Sequence, residues 1–406
     1  DIDMQIVRHG KFKSAVEPLI QKEMSPENRE QYDAFINAIW GTMLDDIAAS
    51  RGLDKANLND IADGLLAYDA EKAVDAKLID GALHRDEYRH VVARHLGLED
   101  PSDINVVSLS QYDRVFKSLN LIDERIAVIY ATGQIGKGTG ANDEVGADKF
   151  AETISKVRTD DDVKAVVLRV NSPGGDALAS DIIWRELDMC QAAKPVIVSM
   201  GDVAASGGYW ISSASERIVA NPTTLTGSIG VFGVVPNFGD FMENKLGITY
   251  DNVSTNQNAG FPSLMRPLSE YEREVLQRKV ENVYDLFLLR VSENRDMSME
   301  NVDRIGEGRV WSGVDAQRLG LVDDLGGLHD AIGLAAEIAG LEKYRVLELP
   351  VLKDPVEQML EDLSANASSN IMKNRLGPFY DEYMQLLSVM KWEGVQAILP
   401  CQVTIE

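Results

Sequence analysis

From Arg125 onward, apolar and polar positions fall into two alternating patterns. "RIAVIYATG" (125–133) and "VKAVVLRV" (163–170) are nearly continuous apolar runs, the pattern of strands buried on both faces. "DKFAETISKVRTD" (148–160) and "SDIIWRELDMCQAA" (180–193) place apolar residues at helical spacing instead. "KPVIVSMG" (194–201) is a third buried-type strand, "AASGGYWISSASE" (204–216) has helix length, and "RIVANP" follows it. Residues 269–296 and 329–340 also read as helices. Strand and helix in alternation predict α/β units with right-handed crossovers. The tail after about 346 alternates short polar and apolar pieces and predicts no element.

The same patterning recurs along the chain. "FKSAVEPL" (12–19) resembles "FPSLMRPL" (261–268), an offset of 249. "SPENRE" (25–30) resembles "SEYERE" (269–274), and "IADG" (61–64) resembles "IGEG" (305–308), both at 244. "AVDAKLIDGAL" (73–83) matches "AQRLGLVDDLGGL" (316–328) from an offset of 243. That period is too long for a solenoid and predicts a duplicated domain. The first copy is then incomplete, since it lacks a counterpart of residues 125–260, and the chain is expected to start part-way through it. The expected division is 1–95 for the end of the first repeat, 96–124 for a linker, 125–345 for the second repeat, and 346–406 for an extension.

Composition narrows the function classes. The 406 residues hold 40 basic and 65 acidic side chains, a net charge of −25. That argues against nucleic acid or anionic lipid as the main partner, because phosphate binding needs clustered cations. Hydrophobic residues at 45% and charged residues at 26% are ordinary for a globular chain. No run of 18 apolar residues predicts a spanning helix. Cys190 and Cys401 show no CxxC or metal-type spacing, and the sequence leaves their pairing open.

Two glycine-bearing segments sit just past predicted strand ends, "NSPGGD" (171–176) and "GDVAASGG" (201–208). Crevices at strand C-termini are the usual ligand sites of open α/β sheets. Gly174 and Gly175 let backbone N–H groups face outward, where a pair of them binds an anion or a developing oxyanion. The alternative is a plain strand-to-helix turn. Ser206 follows the third strand and opens a helix, the position of an ordinary N-cap. As a nucleophile it would gain from the positive helix end and the Gly207 N–H. It lies outside any GxSxG elbow.

A nucleophilic Ser needs a base. None of His9, His84, His90, His95 and His329 lies between the two segments. Lys13, in "HGKFKSAVEP", has apolar neighbours that could hold its amine neutral by burial. In the repeat it aligns with Pro262, so a Ser/Lys pair would draw its members from different copies. "NPTTLTGSIGVFG" (221–233) adds Thr226 and Ser228, and Ser228 could orient the amine. The plain reading there is a strand-to-strand turn.

Taken together, "NSPGG", "AASGGYWISSASERIVANPTTLTGSIGVFG" and "KSAVEP" resemble the signal peptide peptidase A, or protease IV, family in its long duplicated Gram-negative form. The resemblance covers residues 1 to about 345. It implies a duplicated ClpP/crotonase-like β-α spiral, an α/β fold whose first copy is here incomplete. It implies a serine endopeptidase that degrades cleaved signal peptides through an acyl-enzyme, with no cofactor and no metal. By motif, Ser206 is the nucleophile, Lys13 the general base, and Ser228 the partner of the amine. Gly207 with Gly174 or Gly175 supplies the oxyanion donors. The family forms bowl-like homo-oligomers, tetramers for the long form, and is anchored at the periplasmic face of the inner membrane by an N-terminal helix. That helix is expected to be missing from this chain. A runner-up on the same scaffold is a crotonase-type acyl-CoA hydratase or isomerase, which needs a carboxylate near the glycine segments, as Asp176 and Asp202 are. A third reading is an inactive peptide-binding scaffold, against which intact Ser206 and Lys13 count.

Overall fold

The computed structural model describes residues 1–109, 111–112, 122–141, 143–350 and 395–399. The chain divides into two compact units, Asp1–Ala38 with Asp123–Glu406, and Ile39–Ile122. The first unit opens with β1 (Asp3–His9), a short helix α1 (Glu17–Ile20) and the start of α2 (Pro26–Arg51). The second unit takes the rest of α2, then α3 (Lys55–Asp63), α4 (Ala70–Asp75) and α5 (Arg85–His95). Among its described residues, Leu44, Leu58, Ile61 and Ala93 are the buried apolar ones.

The first unit resumes with β2 (Arg125–Thr132), β3 (Gln134–Gly136), β4 (Glu144–Gly146), α6 (Ala147–Thr159) and β5 (Val163–Ser172). Next come β6 (Gly174–Asp176), α7 (Ala177–Gln191), β7 (Val196–Ala205) and α8 (Gly207–Ser213). Then follow β8 (Arg217–Ala220), β9 (Leu225–Gly227), β10 (Val231–Asn237), α9 (Gly239–Leu246) and α10 (Glu270–Asn294). α11 (Met299–Ile305), β11 (Val310–Ser312), α12 (Gly313–Arg318), β12 (Asp324–Leu325) and α13 (Leu328–Ile338) precede the last strands, β13 (Arg345–Leu349) and β14 (Val395–Ile398).

Two sheets share this unit. The larger runs β11-β9-β7-β5-β2-β13, parallel from β9 to β13, and β8 joins it beside the first half of β7. Its central strands are buried on both faces, which is why they read as apolar runs. Side chains alternate as a pleated strand requires. Ala127, Ile129, Val166 and Leu168 face the main core with α6, α7, α8 and α10. Ile126, Val128, Ala165 and Val167 face the other way, onto Ala331, Ile332 and Ala335 of α13. The smaller sheet runs β1-β10-β14-β6-β3-β4.

Two local expectations change. "AASGG" is not the start of a helix: β7 continues to Ala205, and the helix begins only at Gly207. "SPGG" is not a free loop either, because Gly174–Asp176 is a strand of the smaller sheet. A Cβ at Gly175 would stand 1.9 Å from the Ile135 carbonyl oxygen, so only glycine lets β3 pair there. In the tail, β13 extends the larger sheet beside β2.

Helices also recur at the period of the sequence repeat. α2, α3, α4 and α5 begin 243 or 244 residues before α10, α11, α12 and α13, respectively.

Candidate active site

β7 ends and α8 begins at Ser206, whose backbone sits at φ 55°, ψ −116°. A non-glycine residue there carries roughly 1–3 kcal/mol of strain that the surrounding fold must hold in place. Two bonds hold it: Ser206 N–H donates to the Gly227 carbonyl at 2.8 Å, and Trp210 N–H to the Ser206 carbonyl at 2.8 Å. The Ser206 side chain makes no capping bond to the helix. The position is that of an N-cap, but the hydroxyl points elsewhere. The sequence lacks GxSxG, yet the turn is a strained strand-to-helix elbow of that general kind.

The hydroxyl meets Lys13. Lys13 Nζ lies 2.8 Å from Ser206 Oγ, 2.9 Å from Ser228 Oγ and 3.2 Å from the Ser228 carbonyl oxygen. Ser228, between β9 and β10, is itself at φ 51°. Its N–H donates to the Arg309 carbonyl at 2.7 Å. All three side chains are buried, and Lys13 is 0% exposed. An ammonium group without contact to bulk water carries a desolvation cost that disfavours its charged form. Residues 193 and 215 positions apart in sequence thus meet within one chain.

A buried polar network fixes the Lys13 loop. Gln31 Nε2 donates to the Phe12 carbonyl, Ser14 Oγ and Asn28 Oδ1, and Gln31 Oε1 accepts from Val310 N–H. Asn28 Nδ2 donates to Glu17 Oε2 at 2.9 Å, while Ser14 Oγ donates to Asn28 Oδ1 at 2.8 Å. On the other side the loop rests on 306–309: Phe12 N–H donates to the Glu307 carbonyl. A Cβ on Gly308, at φ 81°, would stand 2.7 Å from both the nitrogen and the Cβ of Lys13. Tyr284 Oη donates to Asp303 Oδ1 and accepts from Glu307 N–H, which braces the same segment. Sequence reading missed Gln31, Asn28 and Gly308. The one signal for the last was "IGEG" inside the repeat, and nothing local marks Gln31 among the polar residues of a helix.

The glycines lie close by. Gly174 N–H donates to Ser172 Oγ at 3.2 Å. A Cβ on Gly174 would stand 2.6 Å from Gly207 N, so the "SPGG" backbone abuts the start of α8. Asp176 caps α7 through Ala179 N–H and faces Lys137 at 3.4 Å, while Asp202 is exposed. Thr226 Oγ1 donates to the Ala204 carbonyl, which ties β9 to β7 next to Ser206. His9 stacks on Tyr284 with ring centroids 3.9 Å apart. Pro262, opposite Lys13 in the repeat, is exposed ahead of α10. Cys190 is a buried free thiol, pushed up to about 11 chiefly by burial, and Cys401 lies outside the described residues. Among the described residues no cluster of His, Cys, Asp or Glu could hold a metal ion, and no helix is long and apolar enough to cross a membrane.

Two sheets carrying helices make this an α/β protein, with Ser206 and Lys13 meeting just past the end of β7. The chain belongs to Peptidase family S49, whose profile matches residues 1–99 and 188–342. It is 39% identical over 353 residues to Protease 4 of Salmonella typhi, an alignment covering 85% of this chain and 57% of that one. It is 36% identical over 406 residues to the chloroplastic serine protease SPPA of Arabidopsis thaliana, covering 98% of this chain and 59% of that one. The chain therefore spans less than two thirds of the length of these curated relatives. A solved structure of a membrane-bound stomatin-specific protease aligns over 56% of this chain and 99% of its own at 16% identity, with a TM-score of 0.37 too low to carry an argument.

Proposed function

We propose that the chain is a serine endopeptidase with a Ser206/Lys13 dyad, acting on extended apolar peptides such as cleaved signal peptides. The observation that carries this reading is the 2.8 Å contact between a strained, buried hydroxyl and a fully buried amine. In the neutral amine, two N–H bonds serve the Ser228 hydroxyl and carbonyl oxygens. The lone pair then faces Ser206, whose O–H donates to it. The Ser228 carbonyl can only accept, so it sets the direction of this arrangement.

Ser206 Oγ attacks the peptide carbonyl as its proton passes to Lys13 Nζ. The oxyanion is received by the N–H groups of Gly207 and Gly175, because the Gly174 N–H is used by Ser172. The Lys13 ammonium then protonates the departing amine. Lys13 next takes a proton from the water that attacks the ester, then gives it to Ser206 Oγ as the acid product leaves, which restores the neutral amine.

The S49 family and its relatives named as proteases support the reaction class. The helix spacing shared by the two halves of the chain supports a duplicated domain, with the repeat boundaries near 95 and 125. By the family resemblance, the whole protein works as a homo-oligomer, a tetramer, at the periplasmic face of a bacterial inner membrane.

The test is labelling by a fluorophosphonate probe together with turnover of an apolar peptide. Wild type is expected to label at Ser206, and Ser206→Ala to lose both labelling and turnover. Lys13→Ala is expected to lose roughly 10²–10⁴-fold in turnover. Near-normal turnover by Lys13→Ala, with an unchanged melting curve, sinks the dyad.

A further inference from the structure

The strand Val395–Ile398 lies antiparallel between β10 and β6, far along the chain from either. Gly233 faces Val395 and Phe232 faces Gln396 on one side. On the other, Gln396 faces Asp176, Ala397 faces Gly175 and Ile398 faces Gly174. Leu399 N–H donates to the Pro173 carbonyl at 2.5 Å. Hydrogen-bonded pairs recur at every second residue of an antiparallel ladder. The bonded Leu399–Pro173 pair therefore makes Ala397–Gly175 a bonded pair too, in which Gly175 N–H donates to the Ala397 carbonyl.

A second observation places the same oxygen. A Cβ built on Gly174 would stand 2.1 Å from the Ala397 carbonyl oxygen, and one built on Gly207 would stand 3.0 Å from it. This carbonyl thus rests against the glycines that flank Ser206. Its flanks are a peptide's flanks: Ala397 is fully buried with room for a small side chain, and Ile398 packs on Val16, Phe232 and Val234.

The pairing is short, two residue pairs on one side and three on the other, against seven between β1 and β10. A strand so briefly paired has few backbone bonds to give up to a peptide of the same geometry. Without it, β10 and β6 would offer two facing edges for strand addition.

We propose that Val395–Leu399 fills the peptide groove of this enzyme as a built-in, substrate-like strand that added peptides must displace. The register makes Ala397 the residue on the acyl side of the bond presented to Ser206. The groove therefore takes a small side chain there and a branched apolar one immediately after it. The proposal rests on the active-site reading above for the meaning of the groove, but its test does not depend on turnover. Tethering gives the internal strand an effective concentration in the millimolar range, enough to weaken competing peptides markedly.

The test uses the full chain with Ser206→Ala, so that nothing is cleaved, and a dye-labelled peptide of sequence Val-Gln-Ala-Ile-Leu-Pro. Adding Ala397→Arg puts a long charged side chain at a position with no room for it. Fluorescence anisotropy is expected to show the peptide binding about tenfold or more tighter to the double variant than to Ser206→Ala alone. Equal affinity, or binding to neither, overturns the proposal. A second measurement needs no change in the strand. Saturating peptide is expected to speed hydrogen exchange at the amides of 395–399 in the Ser206→Ala chain, and unchanged exchange under bound peptide overturns it. If Ser206 fails to react with fluorophosphonate, the dyad falls while both of these readouts still stand.

Discussion

Lys13 owes its place to residues that never touch a substrate. Gly308 is the tightest of them: an added methyl would collide with the Lys13 backbone at 2.7 Å, and the φ of 81° disfavours any other residue. Gly308→Ala must push the Lys13 loop away from Ser206. A misplacement of about 1 Å costs on the order of 10²-fold in rate, while backbone strain of this kind costs roughly 1–3 kcal/mol. The expected outcome is therefore a chain that still melts cooperatively but loses about two orders of magnitude in kcat/KM. Peptidase kinetics beside a thermal melt check it, and full activity in Gly308→Ala would show that the contact is unimportant. Sequence alone brought Ser206, Ser228 and Lys13 into view because each stands among small or apolar neighbours. The strained φ at Ser206 and Ser228 was not legible, since it follows from bonds to Gly227 and Arg309 made elsewhere in the chain.

Among elements, α10 shows how a local signal acquires a tertiary partner. Ser269 and Glu272 form a capping box, and Ser269 N–H donates to Glu272 Oε2 at 2.8 Å. Arg266 binds the same carboxylate through both terminal nitrogens, at 2.6 and 2.7 Å. The Arg266 bonds first, and then the cap, hold Glu272 well below its usual range, at about 2. A carboxyl depressed in the folded state stabilises fully above its unfolded value near 4.5, and that contribution is lost as pH falls toward about 2. Glu272→Gln is expected to melt below wild type at pH 7, with the gap closing between about pH 5 and pH 2. A gap that stays constant across that range would assign the loss to packing instead. The helix itself was legible as 269–296 and runs over Glu270–Asn294. β6 was not, because a three-residue glycine strand exists only through the neighbours that pair with it.

For the whole molecule, the decisive fact is that nucleophile and base candidates meet inside one chain. Lys13 and Ser206 lie 193 positions apart, and the sequence left open whether they meet within one chain or across to a neighbour. With Nζ 2.8 Å from Oγ, no partner chain is needed to complete the pair. Mixing Lys13→Ala chains with Ser206→Ala chains is therefore expected to restore no activity, even after co-refolding. Recovery approaching a quarter of wild-type turnover would mean that the pair forms across subunits.

The sequence by itself determined the α/β class, the core strands, the helices α6, α7, α8, α10 and α13, and the residue types of the site. These follow from periodicity, from runs of apolar residues and from small residues that permit close approach, all of which are local properties. Only the tertiary structure decided which lysine meets which serine, which glycines lie against Ser206, and where the strand 395–398 lies. Each of those depends on pairing and packing between residues far apart in the chain, and a one-dimensional pattern carries no distances of that kind.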